Sequence, residues 1–440
     1  MKRICLAFIL SLAFLPRGWG QSLVPVGAGI PSGYGIYNGT VAFNGELYAC
    51  DHDHIYKYDG STWTDIGITI DYAIICMEVY AGELYVGGWF TSFNGMPLNR
   101  IARYDGVSWQ AAGTGIEVGP GITGGVEKMT VYNGELIALG SFIQAGGVPV
   151  NKIAKWNGAS WSALGNGFPG SQLASIPAMS VFNSDLYVFS QLDTAGTVPV
   201  HNAAKWDGTN WSAVGSGINN WPVSSTVHDN NIYVGLWVTD TSSMIVRWNG
   251  VSWSPVEPSS SNTSWNVAFD LKSYNGCLYA TGMIDTIGGT AVNNVARYDG
   301  VDWHPVGSGV NGSGQFFTEL DTALYLTGDF MMSGTVTVNN VVRLVSPPLC
   351  AAVSVNEASV PDDRLIIFPN PSDGKFQLKW NGLNTAARIE IINLLGKRIC
   401  ERPVDPDTGS VDLRDLTEGI YFLRCYDSAG NLITKKIIKQ

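Results

Sequence analysis

One nine-residue string recurs along the chain. IARYDGVSW at 101–109 returns as IAKWNGASW at 153–161, AAKWDGTNW at 203–211, IVRWNGVSW at 245–253 and VARYDGVDW at 295–303, with IYKYDGSTW at 55–63 ahead of them. The closing residues Trp63, Trp109, Trp161, Trp211, Trp253 and Trp303 stand 46, 52, 50, 42 and 50 residues apart. That period belongs to propeller blades, small sheets that bury their faces only against one another. A second string, NGELY at 44–48, recurs as GELY, GELI, SDLY, NIY, GCLY and ALY, ending at 323–325, which makes seven occurrences.

Within each unit, alternating apolar residues bounded by Asn-Gly and Asp-Gly pairs predict four short strands joined by tight hairpins. The seventh unit runs into Pro347-Pro348 without its DGxxW strand, while LVPVGAGI at 23–30 matches the missing outer strand. Pairing that N-terminal strand with the last blade removes the free sheet edge of an open array. The fold class is therefore all-β: a seven-bladed β-propeller at 22–346 closed by an N-terminal outer strand, then a linker at 347–365 and a small sandwich of about seven strands at 366–440. Composition agrees, with 52 glycines, 45% apolar residues and only 14% charged among 440. Disorder and coiled coil need other compositions. Residues 22–346 carry 11 basic against 25 acidic side chains, which disfavours nucleic acid and anionic membrane as partners.

Residues 1–20 read as an export signal, with Lys2 and Arg3 before an apolar run and Gly18 and Gly20 before Gln21. Nothing later approaches a transmembrane helix. Six cysteines follow, Cys50, Cys76, Cys277, Cys350, Cys400 and Cys425, and their 15 connectivities stay open.

Two resemblances extend this reading. NGELYVGG, the V-N-x-I-A segment, Y/W-D/N-G-x-x-W and VGxG make residues 22–346 resemble the kelch-like and galactose-oxidase-like propellers of secreted bacterial and fungal surface proteins. Residues 366–440 resemble the type A C-terminal sorting domain of the type IX secretion system of Bacteroidota, an immunoglobulin-like β-sandwich. The positions that carry it are Pro369, Asn370, Pro371, Gly374, Leu395, Gly396, Lys397, Leu416, Gly419, Tyr421, Lys435 and Lys436. The resemblance implies delivery to the outer-membrane surface or the medium, with the translocon and a sortase-like peptidase as partners.

Repetition separates packing from chemistry. Glu46, Glu83, Glu135 and Asp185, the Asp-Gly carboxylates and the repeated tryptophans recur in most blades and are expected to pack them. Ligand chemistry belongs to unrepeated residues on the face of the long connections, the loops 90–98, 142–150, 190–201, 284–292 and 329–337 and the crossovers between blades. Trp221 and Trp265, with Trp89 and Trp237 nearby, are the candidates for stacking on sugar rings. Asp51, His52, Asp53 and His54 form the one local run with metal-ligand chemistry, although alternate strand residues face opposite ways and a polar hairpin explains them as well. No cofactor is expected, and nothing supports calcium or a transition metal. The Tyr, Cys and His set of a copper oxidase cannot be located, and GxSxG, HExxH, GxxxxGK[ST] and CxxC are all absent. The expected activity is binding of a glycan or surface protein in adhesion. A polysaccharide lyase or hydrolase and a structural surface-layer component are the alternatives.

Overall fold

The computed structural model describes residues 21–33, 35–36, 38–171, 173, 177–240, 242–257, 266–345, 347, 350, 365–370, 372–380, 388–392, 398–403, 409–417, 419–426 and 432–439. All regular elements among them are strands. The chain divides into two compact units at Val353 and Ser354.

In the first unit, four-stranded antiparallel sheets follow one another: A (39–65), B (74–111), C (126–163), D (178–213), E (221–255), F (266–305) and G. In B the strands are Ile74–Tyr80, Glu83–Gly88, Ile101–Tyr104 and Trp109–Ala111. Sheet G takes three strands from 313–345 and its fourth from Ser22–Pro25, which pairs with Val341–Val345 through Leu23 and Leu344. The first strands of successive sheets pack side by side from A to G, and that of G returns to A, where Thr318 Oγ1 donates to Thr40 O at 3.0 Å. Sheets E and F also pair directly, Trp237 with Val267. An antiparallel four-strand meander puts its first and third turns on one face of this ring, and its second loop and crossover on the other.

The repeated residues do structural work. The tight turns place Asn44, Asn133, Asn183 and Asn275 in the left-handed region, which asparagine tolerates. Behind them Glu46, Glu83, Glu135 and Asp185 pair with Lys57, Arg103, Lys155 and Lys205 across the second and third strands. Asp59, Asp105, Asn157, Asp207, Asn249 and Asp299 accept the two backbone N–H groups of the outer turn, as Asp105 does from Val107 and Ser108 at 2.7 Å. Each repeated tryptophan lies 4.8–5.3 Å from the Tyr or Trp opposite it. Trp161, Trp211 and Trp253 also donate Nε1–H to carbonyls of the preceding sheet's outer segment, Ala112, Leu164 and Val214. These aromatic contacts close the cores between neighbouring sheets.

A bulge interrupts the first strand in B, C, E, F and G, at Ile75, Glu127, Val223, Phe269 and Gln315. In four of these sheets a glycine, Gly88, Gly140, Gly282 or Gly328, pairs with the residue before the bulge. A Cβ there would come within 1.8–2.3 Å of a carbonyl oxygen. Sheets A and D carry Asp51 and Ser190 at the equivalent position, and their first strands pair without a shift.

The long connections hold more order than the sequence reading gave them. Two-residue hairpins form at Gln144–Ala145 with Val148–Pro149, Thr194–Ala195 with Val198–Pro199, Thr286–Ile287 with Thr290–Ala291, and Met332–Ser333 with Val336–Thr337. Their signal is the repeated small-residue pair before a β-branched residue in AGGVPV, AGTVPV, IGGTAV and SGTVTV.

Cys277 and Cys350 form a disulfide. Cys277 occupies the position of the repeat carboxylate, and Arg297, which matches Lys155 and Lys205, donates to Cys350 Sγ at 2.9 Å. Cys350 N–H donates to Asn275 O at 3.2 Å, so the segment leaving sheet G is fixed to the short-turn face of sheet F. This tie explains why the first compact unit extends past 346. Cys50, Cys76 and Cys400 are free thiols.

In the second unit, a three-stranded sheet (Leu365–Phe368, Lys375–Trp380, Ser410–Asp412) and a four-stranded sheet (Arg388–Ile392, Arg398–Pro403, Gly419–Tyr426, Leu432–Lys439) share a core that includes Phe376, Ile391, Val411, Leu423 and Ile437.

Candidate functional site

Among the described residues of the first unit, the exposed large aromatics are Tyr72 and Trp221, both on the face of the long connections. The crossover between A and B carries Tyr72, 49% exposed, whose ring stacks on Trp89 with centroids 6.0 Å apart and planes 21° from parallel. His52 flanks Tyr72 at 6.1 Å. The crossover is tied down on both sides, because Ile74 N–H donates to His52 O and Trp89 N–H to Ala73 O. Burial works the other way, but hydrogen bonds from Thr91 and Ser92 hold the neighbouring Asp71 carboxyl below its ordinary range. Asp71 is thereby a fixed anion that orders the loop beside the stack.

A second aromatic pair lies on sheet E. Trp221, 50% exposed, meets the half-buried Trp237 edge to face at 5.9 Å, and the two are register partners. Trp221 begins the first strand of E, whereas the sequence reading placed it on a crossover; the β pairing simply starts earlier there. Trp237 lies within Asn231–Val238 and Trp89 just beyond Glu83–Gly88. Trp265 lies outside the described residues.

Asp51, Asp53 and His54 come together, with one ligand atom from each within 4.8 Å of the others, while His52 turns away to Tyr72. Asp51 is buried and already accepts from Ser32 Oγ, Tyr56 OH and the N–H groups of Asp53 and His54. Burial opposes it, yet Asp51, Asp53 and Asp65 together raise the His54 pKa. His54 Nδ1 lies 3.2 Å from Asp51 Oδ1 and 3.0 Å from Asp53 Oδ1, and the donors on Asp51 occupy lone pairs a metal would use. The remaining histidines include His228, bonded to Ser273 Oγ, and His304, bonded to Asp299.

Sequence reasoning missed Tyr72, and it also missed Glu127. The Glu127 carboxyl sits at the bulge of sheet C where other sheets place Ile, Val, Phe or Gln. It is 7% exposed, accepts from Ser141 Oγ at 2.8 Å through Oε1, and has no partner at Oε2. Burial pushes its pKa up to about 7. Asp270, just after the bulge of sheet F, is likewise pushed up by burial to about 6, against the Phe317 N–H that donates to it.

In the tail, Asn370 Oδ1 accepts from Ile438 N–H at 2.8 Å, and Pro369 precedes it. Gly374 has φ +107° and approaches the Arg414 backbone too closely for a Cβ. Gly419 opens the strand on which Tyr421 is buried, its OH donating to Thr417 O. Lys435 and Lys436 lie on the last strand opposite Leu423 and Phe422. Pro371, Leu395, Gly396 and Lys397 fall outside the described residues.

The comparisons follow this division. Residues 366–440 match the secretion system C-terminal sorting domain. That domain implies export through the type IX secretion system of Bacteroidota to the cell surface or beyond, and an interaction with the secretion machinery. Residues 82–106, within sheet B, match a β-propeller domain of unknown function. No curated protein matches the chain. Among solved structures, PorZ, a surface component of the type IX secretion system of Porphyromonas gingivalis, is 14% identical at a TM-score of 0.48, with 93% of this chain and 60% of PorZ covered. The chain thus spans less than two thirds of PorZ. A gluconolactonase of Xanthomonas campestris is 12% identical (TM-score 0.38; 74% and 89% covered), and a sialidase of Trypanosoma rangeli 12% (TM-score 0.36; 95% and 89%). No helix among the described residues is long and apolar enough to cross a membrane.

Proposed function

We propose that this is an exported, seven-bladed β-propeller of the kelch-like or galactose-oxidase-like kind that binds a glycan or surface protein on its long-connection face. In this reading residues 1–20 are a signal peptide, removed before delivery. The tail is an immunoglobulin-like sandwich that hands the protein to the translocon and is cut off by a sortase-like peptidase. The observation that carries the binding function is the half-exposed Tyr72 ring stacked on Trp89. An exposed flat aromatic held from behind is costly to leave in water and is suited to an apolar ring face. Its test is incubation of the full chain with soluble and insoluble polysaccharides, reading both retention of protein and release of oligosaccharide by mass spectrometry. Retention without release is expected. Loss of every retention would overturn glycan binding.

A second reading, polysaccharide cleavage, keeps one observation in its favour. Glu127 and Asp270 are unrepeated carboxyls raised into the range of a general acid at neutral pH. Oligosaccharide release that vanishes in Glu127→Gln or Asp270→Asn would replace binding by catalysis.

A further inference from the structure

The two aromatic pairs, considered together with the charge around them, narrow the ligand. Tyr72 lies between sheets A and B and Trp221 on sheet E. The first strands succeed one another around the ring from A to G, so these positions fall almost opposite each other across the ring. Both present a half-exposed ring on the same face. A ligand that met both would have to extend across the ring, as a polymer chain does and a mono- or disaccharide does not.

Charge distinguishes polymers from one another. On this face Asp71, Glu117, Asp193, Asp240, Asp285 and Asp329 are all exposed. The basic side chains there among the described residues, Arg100 and Lys152, are half-buried, and Arg100 turns its guanidinium to the carbonyls of Gly124 and Ile116. The other basic groups on this face are imidazoles, His52, His54 and His201, and His54 is already paired with Asp51 and Asp53. A chain of uronates or sulfated sugars would therefore meet more like charge than opposite charge. A neutral polysaccharide offers apolar ring faces to Tyr72 and Trp221 and hydroxyls that donate to the surrounding carboxylates.

Resting on the glycan-binding reading above, we propose that the ligand is a neutral polysaccharide chain laid across the long-connection face of the ring from the Tyr72–Trp89 stack to the Trp221–Trp237 pair. The acidic loops between them exclude polyanionic glycans. The two platforms act as linked sites, so each strengthens the hold of the other only on a chain long enough to reach both.

The experiment is affinity electrophoresis of the full chain in native gels containing a neutral β-glucan or mannan, or the same polymer carboxylated at C6. Retardation by the neutral polymer is expected to exceed that by its carboxylated form at least 10-fold at low salt, with the gap narrowing at high salt. Tyr72→Ala and Trp221→Ala are each expected to weaken long-chain binding about 10-fold. A trisaccharide of the same sugar should bind no better to the parent than to the better of these two variants. Circular dichroism should show both variants folded, since both rings are half-exposed. Equal retardation by neutral and carboxylated polymers would overturn the neutral class while leaving glycan binding intact. Loss in only one variant would overturn the spanning geometry. Absence of retardation by all polymers would overturn the underlying glycan reading itself.

Discussion

Glu127 is where a single side chain sets a measurable pH dependence. An acid whose folded pKa is raised holds its proton more tightly in the native state than in the unfolded chain. Its contribution is therefore present at low pH and is lost as pH rises from about 4.5 to about 7. The full window corresponds to about 3 kcal/mol. Glu127→Gln should raise thermal stability slightly at pH 5 and much more at pH 8, because Gln can still accept from Ser141 Oγ and cannot ionise. Gln315 already occupies the same bulge position in sheet G, where its Nε2 donates to Ser313 Oγ at 3.0 Å. Equal shifts of the melting temperature at both pH values would show that the carboxyl is not the cause.

The strand-to-strand contacts of each sheet make sharper predictions still. Gly140→Ala would drive a Cβ to 1.9 Å from Gly125 O, so either the bulge at Glu127 relaxes or sheet C opens. A loss of at least about 2 kcal/mol is expected in urea titration. Trp161→Ala removes a buried ring and its bond to Ala112 O, and should cost about 3–5 kcal/mol. These elements were largely legible in the sequence, because the Asn-Gly turns, the alternating strands and the tryptophan period each answer to local chemistry. The bulges were not, since a glycine in a strand is compatible with a bulge, a kink or plain tolerance until its partner strand is known. The departure GCLY in place of GELY was visible at Cys277, but the identity of its partner, 73 residues away, depends on where the chain leaves the ring. Trp89 and Trp221 stood out as candidates because they fall outside the repeated tryptophan positions. Tyr72 escaped notice because only the packing of the crossover against Trp89 gives it a role.

At the scale of the molecule, the ring depends on two fastenings near its chain ends. Deleting residues 22–25 removes the outer strand of sheet G and bares the edge of Val341–Val345. The shortened protein should melt earlier and self-associate in light scattering. Replacing both Cys277 and Cys350 by Ser should cost about 2–4 kcal/mol, read as a lower melting temperature that added reductant no longer changes. The disulfide also decides how the ring would bear a load. Val341–Val345 is zipped between two strands, and tension on the chain beyond it would peel those hydrogen bonds one pair at a time. With Cys350 bonded to Cys277, the pull passes instead into the hairpin of sheet F, on the side away from Tyr72 and Trp221. Load applied through the C-terminal segment would thus meet a covalent stop before it reaches the last strand of the ring.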